Sequence, residues 1–297
     1  MSTVSVLIRR NTKLFFKDKG MFFTSLITPI ILLVLYASFL GSIYQDSFRS
    51  GLPPQITVPD KLIDSLVAGQ LLSSILAVSC VTVAFSSNLL MVQDKSNGTI
   101  KDLRISPVRS SVLSVSYYVA TLLSTLAICL LATAVGLGYI ASIGWYMSVS
   151  DVALLVLDVV VLVLFGTALS SVIYFFLSTQ GQISAMTTII SAGYGFICGA
   201  YMPISSFSEG LQKVLVFLPG TYGTSLLRTH ALRGAMAQLE AEGVPAQVIT
   251  SMQDAFDCNI YFFEEQVSIP AMYLIVGIAT VLLLSAYILM NAVKRKA

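Results

Sequence analysis

Charge is what this chain has least of. Only 11% of its 297 residues are charged, against roughly 25% in soluble proteins, so a soluble surface could not be covered. With a single histidine, His-pair metal motifs such as HExxH are excluded. No GxxxxGK[ST] occurs anywhere in the sequence, so the polypeptide has no phosphate loop of its own. The four cysteines are scattered: Cys80, Cys129 and Cys198 fall in apolar runs and Cys258 in a polar one. Their spacing fits neither a metal site nor a disulfide framework. Cys258 is expected to be a loop thiol open to a membrane-impermeant maleimide.

What is abundant is apolar sequence. The chain is 56% hydrophobic with a mean hydropathy of +0.85, and the apolar residues gather in runs long enough to cross a bilayer. The class that follows is an all-α polytopic membrane protein. Six transmembrane helices are expected, over about 21–40, 66–92, 112–140, 152–177, 183–201 and 271–293. Pro29 should kink the first of them or end a helical turn, and residues 41–65 read as a polar loop. Residues 1–20 precede the spans, with Val4, Leu7, Ile8, Leu14 and Phe15 near one face and Arg9, Arg10, Lys13 and Lys17 on others. They predict an amphipathic helix lying in the headgroup layer. Residues 21–297 then form one transmembrane domain, with an outer insertion over 203–269.

Six spans place both termini on one side, and the basic residues choose that side. Of the 17 lysines and arginines, only Arg49, Lys61, Lys213, Arg228 and Arg233 fall in the outer segments; the rest sit at the termini and between spans two and three. By the positive-inside rule both termini are cytoplasmic.

One cytoplasmic stretch stands out, Asp94 to Arg109, a polar island between two apolar runs. Asn97-Gly98 marks a turn, Ser106-Pro107 marks an end, and the residues between predict a short helix. Ile100, Leu103 and Ile105 would form an apolar stripe on it. A brief charged helix between two membrane-length segments is suited to docking something outside the membrane. Asn97-Gly98-Thr99 matches a glycosylation acceptor, but on the cytoplasmic side it would stay unmodified.

Asp158 is the one formal charge well inside an apolar run. An intramembrane carboxylate is a functional candidate; its place near the outer end of its span leaves an interfacial role and substrate contact both open. Gly193, Gly195 and Gly199 in the fifth span, and Gly136 and Gly138 in the third, are spaced for close helix contact. After span five, Ser206-Phe207-Ser208-Glu209 fits a capping box for a short helix, which Pro219-Gly220 ends. The second short segment, Thr221 to Leu232, is apolar yet too short to cross. The pair reads either as a re-entrant hairpin between spans five and six or as two helices flat on the surface. All six charged residues between Ala235 and Ser268 are acidic.

Two motif regions make the chain resemble a type-2 ABC transporter permease, the membrane-spanning subunit of bacterial ABC exporters. The first is Gly98-Thr99, Leu103 and Ser106-Pro107-Val108-Arg109, similar to the family's cytoplasmic loop between spans two and three. The second is Gly199, Pro203, Ser206, Leu211-Gln212, Pro219, Tyr222, Arg228 and Gly234, similar to the segment after span five. The chain departs from the family at Ser208, where a proline is common, and at Ser116-Tyr117, where a glycine-lysine pair is common. Its acidic insertion is also longer.

The resemblance implies a permease that is not itself an enzyme, working in the bacterial plasma membrane as a homo- or heterodimer. Its partners would be cytoplasmic ABC ATPase subunits and membrane lipid, with no nucleic acid. This chain would bind no cofactor; ATP and Mg would sit on the partner ATPase. Gly98, Thr99, Ile100, Leu103, Arg104, Ile105, Pro107 and Arg109 would form the coupling helix, and Gly199, Pro203, Pro219, Tyr222 and Arg228 the outer re-entrant motif. ATP-driven export of an amphipathic substrate by alternating access is the function implied. Two other classes stand beside it. An ion-coupled secondary transporter needs ionisable groups at midplane depth, and the predicted spans hold almost none. A non-transporting membrane scaffold would lack a partner ATPase.

Overall fold

The computed structural model describes residues 3–52, 58–105 and 108–293, apart from the side chains of Ala37, Lys101, Arg104, Ser110 and Gln180. The described chain is almost entirely helical. Five helical segments in it are long and apolar enough to cross a membrane: Lys19–Ser50, Asp60–Ser96, Ser111–Ile143, Val149–Phe175 and Ile269–Val293.

Helix α1, Thr3–Lys17, lies against the bundle on Leu7, Asn11 and Phe15, which recur every four residues and so line one stripe. This buried stripe shares only Leu7 and Phe15 with the predicted apolar face; Leu14 points outward. Asp18 breaks the chain and caps α2, Lys19–Leu35, by accepting from the Met21 amide at 3.1 Å. The helix continues through Pro29 into a π-helical turn, Tyr36–Leu40, and α3, Gly41–Ser50. The start of the expected polar loop is therefore helical. Its polar residues face out, while Tyr44 and Phe48 are buried and stack with Phe256 and Tyr36.

The centre of the molecule is α4, Asp60–Ser87, which begins six residues before the predicted span. Of its 28 residues, 23 are buried, as befits a helix surrounded on all sides. Small residues make that possible. A Cβ at Gly166 would lie 2.7 Å from the Cys80 carbonyl, and one at Gly69 would lie 2.9 Å from that of Ala231. Among the predicted contact glycines, Gly136 meets Leu72 and Gly195 meets the Tyr201 ring, whereas Gly138 and Gly193 face open space.

Around α4 stand α7, Ser110–Ile143, α8, Val149–Phe175, and α11, Pro219–Ala241, with α13, Ile269–Val293, packed on α8 and α11. Short helices join them: α5, Leu89–Ser96, α6, Thr99–Ile105, α9, Gln180–Ile197, α10, Glu209–Leu215, and α12, Ala246–Ala255. Strands β1, Tyr261–Phe262, and β2, Glu265–Gln266, form a two-residue hairpin. The capping box expected at Ser206 is not made; Ile204–Ser206 is a 3-10 turn, and α10 starts at Glu209 without a side-chain cap. Complete capping boxes occur instead at Ser148–Asp151 and Thr179–Gln182. Pro219 is the first residue of α11, where its missing N–H costs no hydrogen bond. At 23 residues, or about 34 Å, α11 outruns the short segment expected there.

Candidate docking site

The polar island folds as expected into a turn and a short helix, and its backbone explains why. The Asn97 amide donates to the Gln93 carbonyl at 2.9 Å and that of Gly98 to Lys95 at 3.4 Å. Gly98 itself has φ +81, the left-handed conformation that ends helices and favours glycine. Helix α6 then turns away.

Its charges divide in a way the sequence does not reveal. Asp94 is buried and accepts from Arg10 Nη1 at 2.8 Å, Arg10 Nη2 at 3.4 Å and the Tyr117 hydroxyl at 2.5 Å. The hydrogen bond from Arg10 to Asp94 holds the Arg10 pKa above its usual value. Lys95 Nζ donates to the carbonyls of Tyr174, Phe175 and Leu177 at 2.8, 3.0 and 3.3 Å, closing the C-terminus of α8, where a cation is favoured. Asn88, between α4 and α5, donates to Ser170 and Ser171 Oγ at 3.2 and 3.3 Å. The root of α6 is thus bolted to α1, α7 and α8.

The apolar residues divide too. Ile100 is buried in the core, Leu103 is half-buried against it, and Ile105 is 85% exposed. Thr99 starts α6, and Arg109 is exposed at the N-cap of α7. Pro107 lies outside the described residues, as does the side chain of Arg104.

The predicted outer motif is also brought together. Arg228, on α11, is completely buried; it donates to Asp257 Oδ2 at 2.8 Å and to the Gly199 carbonyl at 2.5 Å. Gly199 has φ +74 and turns the chain after α9. Asp257 Oδ2 accepts from the Ile204 amide at 2.8 Å, and the Tyr36 hydroxyl donates to the Ala200 carbonyl at 3.1 Å. Pro203 precedes the 3-10 turn, and the Tyr222 hydroxyl donates to the Val216 carbonyl at 2.6 Å. Asp257 and Tyr36 were not legible as partners, because 29 and 164 residues separate them from the groups they bind.

Asp158 is not open to water. His230 Nδ1 lies 2.6 Å from Asp158 Oδ2, both side chains are 1% exposed, and the Tyr273 hydroxyl donates to Asp158 Oδ1. His230, which the sequence places outside the spans, is therefore part of the interior. Arg233, three residues on, bonds Asp151 at the start of α8. The two rungs pair rising numbers on α8 with falling numbers on α11, so they hold these helices antiparallel.

Cys258 is no accessible loop thiol. It is 6% exposed, and burial pushes its pKa up to about 12.

Long apolar helices around a buried core, with a short polar helix rooted between two of them, define a multi-pass membrane protein. The ABC-2 type transporter family model matches residues 2–231, more than half of the chain, and the chain belongs to that family. It is a transmembrane permease component of an ABC transporter. Comparison with curated proteins finds no match.

Proposed function

We propose that the chain is the permease of an ATP-driven exporter, pairing with a second permease and with cytoplasmic ATPase subunits that hold ATP and Mg. In this reading α6 is the coupling helix. The observation that carries it is the contrast along α6: Ile105 is 85% exposed while Ile100, Asp94 and Lys95 anchor its root. A solvent-facing isoleucine on a rigid mount suits a partner's apolar cleft. Ile105 and Leu103 contact the ATPase, Gly98 and Thr99 set the turn, and Ile100 transmits force inward. ATP binding closes the ATPase pair, pushes on α6 and switches the dimer between inward- and outward-facing states, moving an amphipathic substrate out by alternating access.

The topology we infer has six spans in the bacterial plasma membrane, with α9 as the fifth. Its 18 residues give about 27 Å, near the lower limit for a crossing. Six crossings bring Lys294, Arg295 and Lys296 to the same side as α1 and α6, which the positive-inside rule favours; five would separate them. Helices α10 and α11 make the re-entrant hairpin, a shallow one in the outer leaflet whose turn at 216–218 dips to the acyl–headgroup boundary. Irregular backbone at membrane depth needs protein partners for its polar groups, and Arg228, Asp257 and Tyr36 supply them between α9 and α10.

Ile105→Glu in the purified complex tests the assignment. The variant is expected to insert and fold normally but to lose ATPase binding and substrate-stimulated hydrolysis. Undiminished stimulation would remove α6 from the docking role.

Ion coupling has one observation on its side, the buried Asp158–His230 pair. Proteoliposomes separate the two readings: transport that needs ATP inside the partner subunits and persists after the proton gradient is collapsed leaves the pair a structural role.

A further inference from the structure

Phenylalanines from two parts of the chain meet on the surface, Phe217 from the turn after α10 and the neighbours Phe262 and Phe263 from the β-hairpin. The ring centroids of Phe217 and Phe262 are 5.2 Å apart, those of Phe262 and Phe263 4.9 Å, and those of Phe217 and Phe263 6.4 Å, all edge to face. Phe217 is 62% exposed and Phe263 61%. Leu211 and Val214, also exposed, share one face of α10, and Phe217 follows in the turn two residues past its end.

We propose that Phe217, Phe262 and Phe263 form a wedge inserted into the acyl–headgroup boundary of the leaflet at the N-terminal end of α13. The occupant follows from where the hairpin is tethered. The Val267 amide donates to the Ile260 carbonyl at 2.8 Å, closing the hairpin two residues before α13 begins at Ile269. From Phe263 to Ile269 the extended chain reaches at most about 20 Å, so the tip cannot leave the neighbourhood of the bilayer surface. The patch therefore lies within reach of the apolar surface of a membrane-crossing helix, whose first turns expose Ile269 and Leu274.

The hairpin loop is built to present a ring. Phe263 has φ +58, a conformation glycine adopts at no steric cost, yet the position carries a bulky apolar side chain turned outward. Exposed aromatic clusters of this kind mark contact with protein or membrane, and aromatic side chains partition to the headgroup level. Glu264 and Glu265 beside the tip, and Lys213 on α10, keep the insertion shallow because a charge in hydrocarbon is strongly disfavoured. This inference stands whether or not the chain exports anything.

The chain's single tryptophan, Trp145, makes a clean fluorescence test. In a Trp145→Phe background, Phe263→Trp or Phe217→Trp is placed in the full-length chain and reconstituted in phosphatidylcholine vesicles, with or without bromine on the acyl chains near the glycerol. The wedge predicts at least about twofold quenching by brominated lipid, a blue-shifted emission and poor quenching by iodide. Phe217→Trp uses an ordinary backbone position, so the test survives if the strained position rejects tryptophan. Strong iodide quenching without bromolipid quenching would show a water-facing patch and overturn the proposal. Shielding from both quenchers would overturn it too, by showing protein, such as a second copy, over the rings.

Discussion

Arg10 and Asp94 meet at 2.8 Å across 84 residues of sequence, and their bond joins the first helix of the chain to the root of α6. Tyr117 completes the joint from α7. The root of α6 is therefore tied to α1 and α7 through a single carboxylate.

Asp94→Asn should weaken this joint without unfolding the bundle. Arg10 is about one-third exposed, so the Arg10–Asp94 coupling in a double-mutant cycle with Arg10→Met should be modest, about 0.5–2 kcal/mol. Thermal unfolding in detergent measures it. In the assembled complex, the same variant should retain basal ATPase while losing much of the substrate stimulation.

His230→Phe leaves the Asp158 carboxylate buried with Tyr273 as its remaining partner. Leaving a buried acceptor without its partner this way should cost about 1–3 kcal/mol, read as a fall in melting temperature or yield. Asp158→Asn with His230 intact keeps hydrogen-bonding capacity at both ends and should cost less. Equal losses from the two variants would mean that the pair is not what holds α8 to α11.

Gly166→Ala and Gly138→Ala make opposite expectations from the same change. At Gly166 the added carbon meets the Cys80 backbone 2.7 Å away, so α4 and α8 must separate, at about 1–3 kcal/mol. At Gly138 it meets nothing within 4 Å, and stability should be unchanged within about 0.5 kcal/mol. Melting temperatures of the two variants decide.

Native Cys258 should resist an impermeant maleimide on folded protein. Thiolate is the reactive form, and with a pKa near 12 only about one thiol in 10,000 is ionised at pH 8. Reaction should appear after denaturation. Gln247→Cys, exposed on α12, should instead react from outside intact cells; labelling only after lysis would overturn the inferred orientation.

Much of the architecture is legible in order along the chain. Apolar runs announce the crossing helices because a bilayer demands about 20 consecutive apolar residues wherever they occur. Gly98 and Pro219 announce boundaries because their backbone chemistry is local. Amphipathic α3 is hidden, since its polar residues face outward and imitate a loop until Tyr44 and Phe48 are seen packed against Phe256. Ser206 looks like a cap by spacing, but the anchoring of Gly199 and Ile204 to Arg228 and Asp257 takes that segment elsewhere.

The sequence by itself determined that this chain lives in a membrane, roughly where its long apolar helices run, and that it carries a short polar helix between two of them. Those are consequences of local composition and hydrogen-bonding capacity. Which charges are free to meet a partner was decided by the tertiary structure alone. Asp94, Lys95, Asp158 and Arg228 are spent on partners inside the fold or on helix ends, because a buried charge must find a counter-charge or polar partner, and the partners lie dozens of residues away. Ile105, unlike Ile100, is left facing outward for the same reason: the fold, and not the stripe on which both sit, decides which apolar side chain has been covered.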